Sequence, residues 1–411
     1  MGGEMARRSD GPSSEQVAIV MVGLPARGKT FLASKLVRYL RWRGYEIETF
    51  NVGDYRREHL GARQPADFFD SSNTEAVRRR DAVAQVALGD MLAWFKTGGE
   101  VGIYDATNTT RDRRKLVADQ CRSAGLNTLF MESICNDEQQ ILDNIRATKL
   151  QLPDYDGVDD EIAIADFRAR IRKYEEAYET VGDDEGSYIK YVDVGKQILV
   201  NDISGVLPGR LVSVLLNSHL GQRPIYLSRH GESTFNIEQR IGGDPPLTDR
   251  GESYATNLAE HLVDTFDEQP VVLTSTLVRT RQTASKLPWP HHMWHLLDEI
   301  DAGICDGMTY AEIAVDFEHE FKARKADKFW YRYPRGESYA DVIARLEPVI
   351  FELERLRKPV VVIAHQAVLR AVYAYFKDMQ PSECPHVQMP LHTVIKLTPG
   401  EYGFEEDRMA L

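Results

Sequence analysis

Gly23-Leu24-Pro25-Ala26-Arg27-Gly28-Lys29-Thr30 is the stretch on which the fold turns. It satisfies G-x-x-x-x-G-K-[ST] and lies between an apolar run, Val17–Val22, and an amphipathic stretch over 30–43. A buried strand, a glycine-rich turn and a helix start are the context that a phosphate cradle needs. The glycines admit backbone angles that aim successive N–H groups at phosphate oxygens, and the helix N-terminus adds its positive end. Lys29 supplies a charge, and the Thr30 hydroxyl can ligate Mg²⁺.

Outward from this loop, short apolar runs at 46–52, 101–104, 128–134 and Tyr188–Val192 alternate with helical patterns at 75–95, 111–124, 138–150, 159–180 and 204–220. That alternation predicts a mainly parallel α/β sheet. The acidic run GDDEGS at 182–187 reads as a loop within this domain, and 221–224 as a linker. A second α/β series follows, with strands at 225–228, 271–273, Val360–Ala364 and 393–397, and helices at 250–266, 279–286, 310–325, 339–357 and 367–376. The expected organisation is a tail over 1–16, one α/β domain over 17–221 and another over 222–411.

The bulk properties agree. A chain of 411 residues exceeds the size at which one core keeps growing, so two domains of about 200 residues are expected. A net charge of −13 argues against general binding to nucleic acid or to an anionic membrane. The four cysteines are widely spaced and form no CxxC pair, which speaks against a disulfide scaffold or zinc site and for a reducing cytosol. No run approaches the ~20 apolar residues of a membrane span. The tail lacks the apolar core of a secretory signal, and Ala6 stands where myristoylation after Gly2 favours Ser or Thr.

Around the cradle, a carboxylate at the end of a neighbouring strand should help hold the metal, and Asp105 after 101–104 has that place. Arg56, Arg57, Arg78, Arg79, Arg80, Arg111, Arg113 and Arg114 fall near the predicted carboxyl ends of strands, where α/β sheets bind ligands, and point to an anionic acceptor. For the consecutive Arg78, Arg79 and Arg80, a solvated helix face is the plainer reading.

The second half carries Leu227-Ser228-Arg229-His230-Gly231-Glu232-Ser233 at a strand end, with Asn236 six residues beyond His230. His365 ends another apolar strand, Arg279 opens a helix, and Glu299 lies in an acidic loop. A neutral imidazole of His230 could attack phosphorus and become phosphohistidine. Arg229, Arg279 and His365 could neutralise the equatorial oxygens, and Glu299 could protonate the leaving oxygen.

Both sites, in this order on one chain, resemble the 6-phosphofructo-2-kinase/fructose-2,6-bisphosphatase family along residues 17–403. GLPARGKT, FNVGDYRREHL, YDATNTTRDRR, KLQLPDY, RHGEST, LDEIDAGICDGMTY, FWYRYPRGESYADVIARLEPVI and AHQAVLRAVYAYF carry the resemblance. It implies a P-loop kinase followed by a phosphoglycerate mutase-like histidine phosphatase, using ATP and Mg²⁺ on fructose 6-phosphate and fructose 2,6-bisphosphate. It further implies that Gly23 to Thr30, Asn144 and Lys149 contact ATP. Arg56, Arg80, Thr109, Arg113, Lys149, Arg170 and Tyr174 would then bind fructose 6-phosphate, with Cys135 in the kinase site. For that cysteine the residues alone offer only a buried strand-end thiol. In the phosphatase, Tyr310, Arg324, Lys328, Tyr339, Gln366 and Arg370 would contact the bisphosphate, with Asn236 and Gly242 near the transferred phosphate. A cytosolic homodimer joined through the kinase halves is also implied.

The loop Gly243-Asp244-Pro245-Pro246-Leu247 is more mutase-like than in the family's animal members. Loss of one activity, a mutase-like reaction and a non-catalytic sugar-phosphate sensor stand as alternatives.

Overall fold

The computed structural model describes residues 16–150, 152–218, 223–400 and 403–411, and of Thr148 and Lys149 only the backbone. The expected tail (but for residue 16) and half of the expected linker lie outside the described residues. The chain divides into two compact units, one of Met1–Leu40 with Tyr45–Leu216, the other of Asn217–Leu411 with Arg41–Gly44.

In the first unit the elements run β1 (Val17–Val22), α1 (Lys29–Trp42), β2 (Ile47–Asn51), α2 (Val52–Leu60), α3 (Thr74–Lys96), β3 (Val101–Asp105), α4 (Arg111–Ser123), β4 (Asn127–Ile134), α5 (Glu138–Asn144), α6 (Asp160–Glu175), β5 (Tyr188–Val192), β6 (Gln197–Asn201) and α7 (Val206–Asn217). Strand order is β2-β3-β1-β4-β5-β6, parallel except for the antiparallel β6. All six residues of β1 are buried, because helices cover both faces and leave no solvent side to alternate with. Phe50, Leu88, Met91, Phe95, Tyr104 and Phe130 help to form a core between the sheet and its helices.

Three expectations change. The helix over 138–150 stops at Asn144 and continues as a π-turn, Ile145–Lys149. The helix over 159–180 ends at Glu175, where the chain turns so that Glu179 N–H bonds the Thr109 carbonyl at 2.8 Å. A helix absent from the reading, α2, starts because the Asn51 side chain caps Gly53 and Asp54.

The second unit runs β7 (Ile225–Arg229), α8 (Thr234–Glu238), α9 (Asp249–Thr265), β8 (Val271–Thr274), α10 (Val278–Ala284), β9 (His291–Met293), α11 (Tyr310–Asp316), α12 (Glu318–Ala326), α13 (Tyr339–Arg355), β10 (Val360–Ala364), α14 (Gln366–Phe376), β11 (Thr393–Gly400) and β12 (Gly403–Ala410). Strand order is β12-β11-β7-β10-β8-β9, with β11 antiparallel to both neighbours. The single helix expected over 310–325 is two, broken at Phe317, whose backbone leaves helical values. Parallel pairing sets Ala364 opposite Arg229, so the residues that follow, His365 and His230, emerge side by side.

Arg114 illustrates an arginine committed to the fold. It is fully buried, chelates Glu185 with both contacts at 2.7 Å, and donates to the carbonyls of Asn108, Thr109 and Glu179. It therefore leaves the set of anion-binding candidates, as does Arg111, held by Asp184 at the surface. Arg114→Met should destabilise the first unit by about 3–5 kcal/mol, because Glu185 and the carbonyls lose a buried partner; chemical denaturation would measure it.

Candidate functional sites

The loop after β1 builds the first site. Gly23 takes a φ of 134°, and a Cβ there would lie 2.4 Å from the Ser133 carbonyl oxygen, so only glycine fits. Ser133, at the end of β4, donates its hydroxyl to the Arg27 carbonyl at 2.5 Å, and Asn144 donates to the Ala26 carbonyl at 3.0 Å. These two side chains fix the loop from the neighbouring strand and from the foot of the π-turn. A π-turn at a ligand site is a recurring arrangement. Leu24, Pro25 and Ala26 complete the turn, and Lys29 donates to the Leu24 carbonyl at 2.7 Å.

Thr30 lies in the first turn of α1, and its hydroxyl donates to Asp105 Oδ2 at 3.0 Å. The β2–β3 register sets Asn51 beside Asp105, and Asn51 Nδ2 donates to the same oxygen at 2.7 Å. Thr30 and Asp105 thus present two adjacent oxygens beside the phosphate cradle, a donor set that suits a hard divalent cation. Asn51 was not singled out in the sequence; an Asn three residues before Asp54, a first-turn acid, was the available signal for a helix cap.

The arginines expected to hold the acceptor are gathered by α2, α6 and the chain between α5 and α6. Arg56 bonds Asp154 through two contacts of 2.8 and 3.0 Å, and Arg57 and Arg170 lie within 3.4 and 3.7 Å of it. Burial pushes the Asp154 carboxyl up, but the hydrogen bond and charge of Arg56, with Arg57 and Arg170, hold it below the usual range. Arg170 also lies over the rings of Phe69 and Tyr155, and Arg80 over Phe68 and Tyr174. Arg113 sits apart from this group, bonded to Asp81 at 2.5 Å and to the Tyr104 hydroxyl at 3.3 Å. Thr109 supplies its backbone carbonyl to Arg114 and Glu179. The Lys149 side chain lies outside what the structure describes. Cys135 is packed with Ala26, Ile141 and Ile145, and burial pushes its thiol up, so it stays protonated.

In the second unit a cavity of about 310 Å³ collects nearly all the residues expected there. Arg229, His230, Asn236, Gly242, Arg279, Glu299, Tyr310, Arg324, Lys328, Tyr339, Gln366 and Arg370 line it. His365 lies behind the wall, fully buried, its ring centroid 5.1 Å from that of His230.

His230 Nδ1 is 2.7 Å from the Gly231 carbonyl, which can only accept, so the proton sits on Nδ1. Nε2 then carries a bare lone pair, and Arg279 Nε donates toward it at 3.2 Å. Both imidazoles are held well below the ordinary 6.5, first by burial and then by the charge of Arg279. A nucleophilic histidine needs this neutral form. Burial also lowers Arg229, to about 10, leaving it charged at neutral pH. Glu299 accepts from the Ala367 and Ile300 N–H groups at 3.2 and 2.9 Å, which orients its carboxylate at the start of α14. Arg370 is fixed by the Val387 carbonyl and the Tyr339 hydroxyl, at 2.7 and 3.0 Å.

Gly242 has a φ of 71°, and a Cβ there would overlap the Asp306 carboxylate. In the mutase-like loop Asp244 accepts from the Val278 N–H at 2.7 Å, capping the helix that carries Arg279. Ser233, Arg240, Tyr333 and Asp301 line the cavity without having been expected there. Ser275 was missed as well: its hydroxyl lies 2.7 Å from His365 Nε2.

A pH effect follows. On unfolding, the two histidines regain values near 6.5 and take up protons below it, which the folded state resists. Their contribution to stability is therefore complete above about pH 6.5 and shrinks by about 1.4 kcal/mol per group per pH unit below it. Calorimetry should show the melting temperature of the second unit falling between about pH 7.5 and about pH 5.5.

Comparison with known proteins agrees with this division. The family described as 6-phosphofructo-2-kinase matches residues 7–222, and the histidine phosphatase superfamily (branch 1) matches 225–411. A 6-phosphofructo-2-kinase/fructose-2,6-bisphosphatase of Arabidopsis thaliana is 52% identical over 98% of this chain, which spans 55% of that relative's length. A fructose-2,6-bisphosphatase of Saccharomyces cerevisiae is 45% identical over 94% of the chain and 87% of its own length. A 6-phosphofructo-2-kinase/fructose-2,6-bisphosphatase 4 of Rattus norvegicus is 46% identical over 96% of the chain and 84% of its own. With a phosphate-cradle unit followed by a two-histidine unit, and relatives alike over nearly its whole length, the chain belongs to the 6-phosphofructo-2-kinase/fructose-2,6-bisphosphatase family.

Proposed function

We propose that the first unit transfers the γ-phosphoryl group of ATP to the 2-hydroxyl of fructose 6-phosphate, and that the second hydrolyses the product back. The observation that carries the reading is His230, neutral by burial, with Nε2 bare and facing Arg279 across a cation-lined cavity. In the hydrolytic half, Nε2 would attack the 2-phosphoryl group while Glu299 protonates the departing sugar oxygen. Glu299 would then take a proton from the water that attacks phosphohistidine, releasing phosphate. Arg229, Arg279 and His365 would stabilise the equatorial oxygens.

In the kinase half, the loop amides and Lys29 would bind the ATP phosphates, with Asn144 and Lys149 along the nucleotide. Arg56, Arg80, Arg113, Arg170, Thr109 and Tyr174 would hold the sugar phosphate. Thr30 and Asp105 would hold Mg²⁺, which when bound screens phosphate charge. No carboxylate base is required, because a loose transition state asks mainly for positioning and charge. A role for Cys135 finds no support in its packed, protonated thiol. The domain boundary is set near residue 221.

A homodimer through the kinase halves accords with β6, an edge strand on which Leu199 and Val200 are exposed. Four free thiols accord with a reducing cytosol.

The test uses γ-labelled ATP with fructose 6-phosphate. An acid-labile sugar bisphosphate is the expected product, and its absence would overturn the kinase assignment. A brief pulse of 2-labelled fructose 2,6-bisphosphate should leave label on His230.

A further inference from the structure

Asn51 ends β2 and takes no part in the chemistry assigned above, yet its side chain joins the two ends of the first unit's site. The parallel register of β2 on β3 sets it beside Asp105. Its Nδ2 donates to Asp105 Oδ2 at 2.7 Å, and its Oδ1 accepts from the Gly53 and Asp54 N–H groups at 2.9 and 3.2 Å. A turned amide would set oxygen against the carboxylate and nitrogen against two N–H donors, so one orientation alone satisfies these partners. Gly53 makes room for this closure, since a Cβ there would lie 2.9 Å from Asn51 Oδ1.

Both ends of the site lean on this one amide. Asp105 Oδ2 also accepts the Thr30 hydroxyl at 3.0 Å. Thr30 is itself a candidate ligand, so a cation would redirect that hydroxyl. The Asn51 nitrogen can only donate and has nothing to offer a cation, so it goes on holding the carboxylate. At the other end, α2 carries Arg56 and Arg57 but has no fully buried residue, so its start leans on the cap. We propose that Asn51 is a positioning residue shared by the two ends of the kinase site. Its nitrogen turns Asp105 toward the phosphate cradle, while its oxygen seats the helix that brings Arg56 to the acceptor. The inference rests on the function proposed above and deepens it.

Two variants of the full chain separate the two contacts. Asn51→Ser keeps a cap, which serine provides about as well, but is too short to keep the donor on Asp105. Its kcat for bisphosphate synthesis should fall about tenfold, the scale of one hydrogen bond to a charged group, with KM for fructose 6-phosphate unchanged. The rise in melting temperature of the first unit produced by ATP alone should equal that of the unaltered chain. The further rise that Mg²⁺ adds to ATP should shrink, which a merely structural loss would not cause. Asn51→Ala loses the cap as well, and KM for fructose 6-phosphate should then rise. An unchanged kcat or an undiminished Mg²⁺ increment in Asn51→Ser would overturn the link to Asp105. A KM for fructose 6-phosphate that Asn51→Ala leaves unaltered would overturn the link to α2. If the unaltered chain makes no sugar bisphosphate, the functional reading of this unit falls by itself, and the melting increments still decide whether Asn51 orients Asp105.

Discussion

His230→Ala should lower bisphosphate hydrolysis by on the order of 10⁴-fold or more, the scale seen when an obligatory nucleophile is removed. Among the described residues no second histidine lines the cavity. The neighbouring His365 has Nε2 engaged by Ser275 at 2.7 Å and lies behind the cavity wall. Water attacking directly would forgo the covalent route, although Arg229 and Arg279 would still stabilise charge. Rapid quench with 2-labelled bisphosphate should find no protein-bound label, and synthesis from ATP should continue at its former rate. Retention of more than about a tenth of hydrolysis would mean that the intermediate is not on the main path.

Lys29→Met should have the mirror effect, lowering synthesis by on the order of 10²–10³-fold and leaving hydrolysis intact. Lys29 is almost fully buried and is drawn over the loop by its bond to the Leu24 carbonyl, so its charge sits where phosphates would rest. Methionine keeps the aliphatic stem and removes only the ammonium, which separates charge from packing. Single-turnover kinetics with saturating ATP would separate a loss in the transfer step from a loss in binding. A variant that synthesises normally would exclude the loop as the phosphate site.

The strands that lead into the sites were legible because they are apolar on both faces: β1 and β10 were read at their observed limits. What escaped depends on partners distant in sequence. β6 and β12 lie at sheet edges, and their mixed polarity gives no period to detect. α2 hides behind a glycine and a run of charges, and only the Asn51 cap marks its start. Among the residues lining the second unit's cavity, Arg229 and His230 end or follow β7, and Tyr310, Tyr339 and Gln366 open helices, positions that a sequence reading can place. Ser275 was missed because its significance lies in a contact to a ring 90 positions away. Among the arginines of the first unit the sequence could not set apart Arg114, whose partners are Glu185 and backbone carbonyls.

The phosphatase cavity is lined by six basic side chains and two carboxylates, on a chain whose formal charge is −13. At long range the body of the molecule repels the anion that its cavity binds. Attraction takes over only within a Debye length of the mouth, about 8 Å at physiological ionic strength. Capture is therefore a short-range event, with little of the long-distance steering that speeds other enzymes toward the diffusion limit. Added salt screens the repulsion from the body and the attraction at the mouth together, so the on-rate should vary little with ionic strength while the release of phosphate quickens.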